Sequence, residues 1–285
     1  QKVVQLEGQI RELAISLIED VKPKGACEFM SAISGPIPVK TFMGLMHMDL
    51  ARYEEFVNWA NGILASDTML KRLPPFIRMR FYLKSLIKSR IKNPSDDPVS
   101  MLLASEVSGE KLTEKRVLEM CNLLFLAGLD TVTNAMTFSV KHLAENPGFQ
   151  EQLRDNPDMI PAAVEELLRR YSFPNIPRRV TEDTEFKGVK MRAGDRIICS
   201  LAAANNDDRI LENPSAVDLE RKKFRHMAFN GGPHNCAGAT LGRLELRVFL
   251  EEWLTRMPEF SVQEGFKPKV RGGAVMAMES LQLRW

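Results

Sequence analysis

The chain of 285 residues is 44% hydrophobic and 27% charged, with a formal net charge of +2. So even a balance gives no reason to expect nucleic acid as the main partner, and no unbroken apolar run reaches the ~18–20 residues of a membrane span. Four cysteines, Cys27, Cys121, Cys199 and Cys236, lie far apart without a CxxC pair, which argues against a zinc site or a disulfide framework and for a reducing, cytosolic setting.

The N-terminal "QKVVQLEGQI" lacks the basic start and apolar core of a signal peptide. It begins without Met and reads as the interior helix of a longer protein. Val3, Leu6, Ile10, Leu13, Leu17 and Val21 recur at helical spacing and predict a first helix. "PVKTFMGLMHM", "RYEEFVNWANGIL" and "FIRMRFYLKSLIKSRI" predict three more, with breaks at Gly35-Pro36, Asp49 and Pro74-Pro75. From Thr113 to about Asn146 an apolar-rich stretch runs without proline, at ~30 residues far longer than the average helix. Pro147 and Pro157 bound a short helix, and Met159–Tyr171 predicts another with Pro161 in its first turn. After Tyr171 the texture changes to short alternating runs, with hairpin turns expected at Lys187-Gly188 and Ala193-Gly194. A long irregular stretch follows, then a glycine-rich loop and a helix, and the tail from Gly272 is expected to supply strands. The expected class is mainly α with small β-sheets.

The loop reads "HMAFNGGPHNCAGATLGRLELRVFLEEWL" and sets Cys236 between Gly232 and Gly238, just before a helix. A helix N-terminus presents free N–H groups and favours an anion, so a thiolate is favoured there. Gly231, Gly232 and Gly238 permit backbone angles that other residues resist, and Pro233 stiffens the loop. Such a thiolate is a nucleophile or a metal ligand, with Phe229 as an apolar wall and His234 as a polar neighbour. The alternative is an ordinary buried cysteine.

Two further constellations precede it. In "LLFLAGLDTVTNAM", Ala127 and Gly128 remove bulk from a helix face, so that a flat group could approach, and Asp130 and Thr131 add polar groups to an apolar stretch. Thr131 lies four residues after Ala127, whose carbonyl its hydroxyl can reach. In "EELLRR", Glu166 and Arg169 are i,i+3 neighbours on one helix face, by default a surface ion pair worth little.

The pattern Phe229-x-x-Gly232-x-x-x-Cys236-x-Gly238, the Ala-Gly-x-Asp-Thr run and the Glu-x-x-Arg pair, in this order, resemble the cytochrome P450 family. In detail "EELLRRYS", "GLDTV" and "EWLTRMPEFSV" are most similar to its soluble bacterial terpenoid hydroxylases. The resemblance spans the whole chain. It implies the P450 fold, a single catalytic domain over 1–285, and roughly the C-terminal 70% of a full-length member, the N-terminal part being absent.

The resemblance also implies roles. Cys236 would be the axial thiolate on the iron of haem b. Phe229 would pack beside the haem, Gly128 and Gly238 would give it room, and Arg178 and His234 would meet its propionates. Thr131 would serve oxygen activation and Asp130 proton delivery. Arg221 would join Glu166 and Arg169 in a structural network. Leu123, Leu126, Ala127, Pro174, Ile176, Ala274 and Val275 would face a small, compact hydrophobic substrate such as a terpenoid, Leu126 and Ile176 foremost. Ile176 stands where that branch carries an Asp, Asn230 where a Gly is usual after the loop Phe, and Gly242 where an Ala is common. The implied reaction is O2-dependent hydroxylation by a cytoplasmic monomer, fed by a ferredoxin and its reductase, with Lys222, Lys223, Arg225 and Arg243 as a basic docking face. No nucleic-acid or membrane partner is implied. The alternatives are a peroxide-using enzyme, a non-catalytic haem-thiolate protein, or an inactive truncated chain.

Overall fold

The computed structural model describes residues 6–64, 66, 68–221, 225–273 and 275–285. Val3, Lys222, Lys223 and Ala274 lie outside the described residues. The chain divides into two compact units: Gln1–Ala32 with Asn134–Trp285, and Ile33–Thr133.

The smaller unit is helical. It holds α2 (Pro36–Leu45), α3 (Tyr53–Leu64), α4 (Met69–Lys92), the short α5 (Pro98–Ala104), a hairpin of β2 (Glu106–Val107) and β3 (Glu110–Lys111), and the first part of α6 (Glu114–Glu145). Its core is aromatic: Phe42, Phe56, Trp59 and Phe125 are buried together with Met79 and Leu83. Phe125 stands edge-on to both Phe42 and Phe56, at centroid distances of 6.2 and 5.8 Å, a preferred geometry for ring quadrupoles. Asp97 caps α5 by accepting from Ser100 N at 2.8 Å and also pairs with Arg90.

The expected break at Pro74-Pro75 is absent, since α4 runs through both prolines. They fall in its second turn, where the loss is two backbone hydrogen bonds. Pro75 packs closely on α3, and a Cβ on Gly62 would come within 2.8 Å of its ring. Tertiary packing therefore holds the helix across a sequence that locally disfavours it. Met69, Leu70, Leu73, Ile77 and Phe81 on α4 are exposed.

In the larger unit, α1 (Glu7–Val21) packs on α10 (Ala239–Arg256). The buried stripe of α1 is Ile10, Ala14, Ile18 and Val21; Leu13 and Leu17 flank it. Arg11 bridges the helices, donating to Glu252 and Glu251 at 2.6 and 2.7 Å. Trp253 of α10 is fully buried between Phe29 and Phe260, with centroids at 5.4 and 5.5 Å. The antiparallel sheet β1 (Ala26–Glu28), β11 (Gln282–Arg284) and β8 (Ser261–Val262), in that order, joins the tail to the start of this unit. The tail also forms β10 (Ala277–Met278), paired with β9 (Val270–Arg271).

Helices α7 (Pro147–Asp155) and α8 (Ile160–Arg170) precede the strand region. There β5 (Thr184–Phe186) and β6 (Val189–Met191) make a tight hairpin, with Lys187 and Gly188 both left-handed at φ 51° and 82°, the requirement of a type I′ turn. The turn at Ala193-Gly194 joins no hairpin. The strand after it, β7 (Arg196–Ser200), pairs instead with β4 (Asn175–Arg179), Ile176 opposite Cys199. A short helix, α9 (Leu201–Asn205), follows.

Helix α6 has 32 residues and begins with Arg116 N donating to Thr113 Oγ1 at 3.3 Å. An 18-residue window of it has mean hydropathy 1.4, long and apolar enough by those measures alone to cross a membrane although no unbroken apolar run does so; half of that window is buried within the fold.

Candidate functional site

The Cys loop is built on backbone turns of the larger unit. Asn230 N donates to Met227 O at 2.8 Å, Asn235 N to Gly232 O at 3.1 Å, and Cys236 N to Phe229 O at 2.9 Å. Gly232 is left-handed at φ 59° and Asn230 at 61°. Asparagine is among the few side chains that visit this region readily, which accounts for Asn230 in a place where glycine is usual. Gly238 is the N-cap of α10, and a Cβ there would lie 3.8 Å from Cys236 Sγ. Its absence keeps space beside the sulfur. Cys236 and Cys199 are exposed, whereas Cys121 is buried and Cys27 half-buried. Burial pushes the Cys27 thiol up to about 12 and the Cys121 thiol up to about 11, so both resist forming a thiolate.

His234 is exposed on the same loop. Arg178, half-buried on β4, donates Nη1 to Pro177 O at 2.9 Å and has no carboxylate partner among the described residues. Ile176 is half-buried on the same strand. Pro174 and Val275 form a β-bridge and are both half-buried.

Glu166, Arg169 and Arg221 meet. Arg169 donates Nε and Nη2 to the two Glu166 carboxylate oxygens at 2.9 and 3.0 Å, and Arg221 Nε reaches both at 3.1 Å. Arg169, fully buried, also donates to the carbonyls of Asn205, Pro214 and Ala216. Burial raises the Glu166 carboxyl, but the bonds from Arg169, Asp218 N and Arg221 outweigh it and hold it below its ordinary value. The default of a weak surface pair does not apply here, because the arginine is inside and every donor has a partner.

In the smaller unit, α6 presents an open face. Leu123 is 68% exposed and Ala127, one turn on, is also exposed. Thr131 continues this row and donates Oγ1 to Ala127 O at 2.8 Å; the helix stays unbroken around it. Its proton is committed to that carbonyl, so the oxygen keeps its lone pairs for an incoming donor. Asp130 is half-buried beside it. Gly128 does not share the open face. A Cβ there would fall 2.7 Å from the Phe42 ring, so Gly128 makes room for Phe42 rather than for a flat ligand. Leu126 likewise packs on the aromatic core.

Of the expected basic docking face, Arg225 is exposed. Lys222 and Lys223 lie outside the described residues, and Arg243 is no free cation. It donates Nε and Nη2 to Glu165 at 2.6 and 2.9 Å. Sequence reasoning overlooked Glu165 and His226; the doubled Glu of "EELLRR" was the available signal.

The cytochrome P450 profile matches residues 77–283. The chain belongs to the cytochrome P450 family. It is 35% identical to "Probable cytochrome P450 127A1" of Sinorhizobium fredii over 286 aligned residues, all of this chain and 69% of that protein. It is 29% identical to the mycinamicin IV hydroxylase/epoxidase of Micromonospora griseorubida, over 100% of this chain and 70% of that one. A steroid C26-monooxygenase of Mycobacterium tuberculosis is 28% identical over 91% of this chain and 72% of its own. The solved structure of CYP101J2 superposes at TM-score 0.93 with 30% identity, covering 99% of this chain and 71% of that one. P450BioI, solved in complex with hexadec-9Z-enoic acid ligated acyl carrier protein, gives 0.91 with 29% identity, covering 99% and 75%. This P450 is thus an oxidoreductase of the monooxygenase type with a haem cofactor.

Its residues fit that cofactor. Among the described residues no three of His, Cys, Asp and Glu converge as a metal site. A lone exposed thiol suits a metal that brings its other ligands with it, as the iron of a porphyrin does. The carboxylate-free Arg178 suits a propionate.

Proposed function

We propose that the whole chain serves one P450 catalytic domain that hydroxylates a compact hydrophobic molecule, a terpenoid in the first instance. The observation that carries the reading is the exposed Cys236 thiol, held between a glycine-bracketed turn and the start of α10. Cys236 would ligate the iron, and Arg178 and His234 would hold the propionates. Phe229 would pack on the sulfur side. The chemistry supplied by the bound haem is insertion of one atom of O2 into a C–H bond, the other leaving as water with two electrons and two protons.

The chain's own residues prepare that reaction. Thr131 offers oxygen lone pairs from a fixed hydroxyl, and Asp130 passes protons inward beside it. Leu123 and Ala127 on α6 and, in the larger unit, Pro174, Ile176 and Val275 would each offer apolar surface to the substrate. Glu166, Arg169 and Arg221 hold the irregular stretch before the loop. The Asp130-Thr131 pair favours O2 chemistry, with electrons from a ferredoxin and its reductase, over peroxide use. A cytoplasmic setting suits four free thiols.

A spin-state titration tests the substrate class. Terpenoid alcohols and ketones should shift the haem Soret band at lower concentration than fatty acids or steroids. Tighter binding of fatty acids or steroids would rule the terpenoid out.

Helix α4 favours a second reading. It carries Lys71, Arg72, Arg78, Arg80, Lys84, Lys88 and Lys92, besides Arg90, which Asp97 neutralises, and no acidic residue. Such a face suits an acidic partner, and P450BioI was solved with an acyl carrier protein. On this reading the substrate arrives as an acyl group on a carrier. A spin shift produced by acylated carrier but not by the free acid would select it.

A further inference from the structure

We infer that Glu165, Arg243 and His226 form a clamp that positions Cys236 through Phe229. The inference rests on the assignment of Cys236 as iron ligand.

Consecutive glutamates on α8 serve different partners. Glu166 holds Arg169 and Arg221, whereas Glu165 faces the Cys loop. Its Oε1 accepts Arg243 Nε at 2.6 Å, and its Oε2 accepts Arg243 Nη2 and His226 Nε2, both at 2.9 Å. Ala228 N donates to His226 Nδ1 at 3.2 Å. The ring proton therefore sits on Nε2 and points at Glu165. The His226 side chain is only 6% exposed, so the imidazole is a fixed strut rather than a surface group.

The two-point bond to Glu165 fixes the plane of the Arg243 guanidinium. Its carbon lies 4.4 Å from the centroid of the Phe229 ring, within cation–π range. Phe229 O is the acceptor for Cys236 N at 2.9 Å. A chain of contacts thus runs from α8 and α10 through the Phe229 ring to the backbone of the ligand residue. Met227, two residues before Phe229, is held separately by Asn205 Oδ1 at 2.6 Å, and Asn205 O in turn accepts from Arg169. Both glutamates therefore bear on one short segment, Glu166 from its start and Glu165 from its ring. In this role Arg243 is a positioning residue and contributes little net charge to the surface.

The test follows the haem-loaded, reduced, CO-bound chain and measures the rate at which its thiolate-type Soret band is lost. Arg243→Leu should lose it about tenfold faster, the scale of an ion pair and a cation–π contact removed together, and Glu165→Gln about threefold faster, the scale of the ion pair alone. In a Phe229→Leu background the same two substitutions should change the rate less than about twofold, because the transmitting ring is gone. A wild-type rate in Arg243→Leu would overturn the inference. So would an effect undiminished in the Phe229→Leu chain, which would mark a merely structural link between α8 and α10. A parent chain that binds haem without ever showing the thiolate band would remove the Cys236 assignment itself, and the clamp with it.

Discussion

Cys236 and Cys199 are both exposed, yet only Cys236 has glycines on either side and a helix N-terminus ahead of it. Cys199 lies in a paired strand opposite Ile176. The difference is backbone geometry, and it is why one thiol is assigned to iron. The same scale separates Gly128 from Ala127. Ala127 is open, and Gly128 is pressed on Phe42. Gly128→Ala puts a carbon 2.7 Å from that ring and should cost about 1–3 kcal/mol by overpacking, read as a fall in melting temperature. Thr131→Ala removes one half-exposed intrahelical bond and should cost at most about 1 kcal/mol of stability. Its effect on chemistry should be larger: electrons consumed without product should rise while substrate affinity holds, measured as NADH used per product formed. Tight coupling in that variant would remove the role given to the hydroxyl.

Helix α8 shows how an element organises the site. From the residues alone its Glu166 and Arg169 were legible only as a pair; it was the family resemblance that implied a buried network with Arg221. Burial came from the carbonyls of Asn205, Pro214 and Ala216, which lie in a stretch without periodicity that sequence reasoning could only label irregular. Arg169→Leu leaves Glu166 with fewer donors in a buried place and should cost about 3–5 kcal/mol, measured by denaturant unfolding. Acid acts on the same element. Burial raises the Glu165 carboxyl, but bonds from His226 and Arg243 outweigh it and bring it from 4.5 to about 2. A folded value below the unfolded one contributes stability that is full above the ordinary carboxylate range and is lost as pH falls toward the folded value. Melting temperature should therefore drop between about pH 4.5 and 2, and less so in Glu165→Gln. Elsewhere, local chemistry read well where it was strong. Lys187-Gly188 gave its hairpin, and the proline-free run gave α6 within a residue or two of its ends. It failed where packing overrode it, at Pro74-Pro75 in α4, and where a turn looked like a hairpin but β7 paired with a distant strand.

Over the whole molecule, charge is segregated rather than scarce. Helix α4 holds eight basic and no acidic side chains in a chain of formal net charge +2, so the remainder is acidic. An even overall balance concealed this in composition, whereas Arg243 adds little net charge because Glu165 pairs with it. If an acidic partner docks on α4, Lys84→Glu with Lys88→Glu should slow association about tenfold at low salt and little at high salt, checked by stopped-flow. The family, the haem and the oxidoreductase class stand on the whole chain, from the loop motif to a TM-score of 0.93. The thiolate is the claim on which every site assignment turns, and the carbon-monoxide difference spectrum of the reduced, haem-loaded protein tests it most directly. The account predicts a red-shifted, thiolate-type Soret band that persists in Cys199→Ser and is absent in Cys236→Ser. A band that survives in Cys236→Ser, or is missing from the parent chain with haem bound, would contradict it.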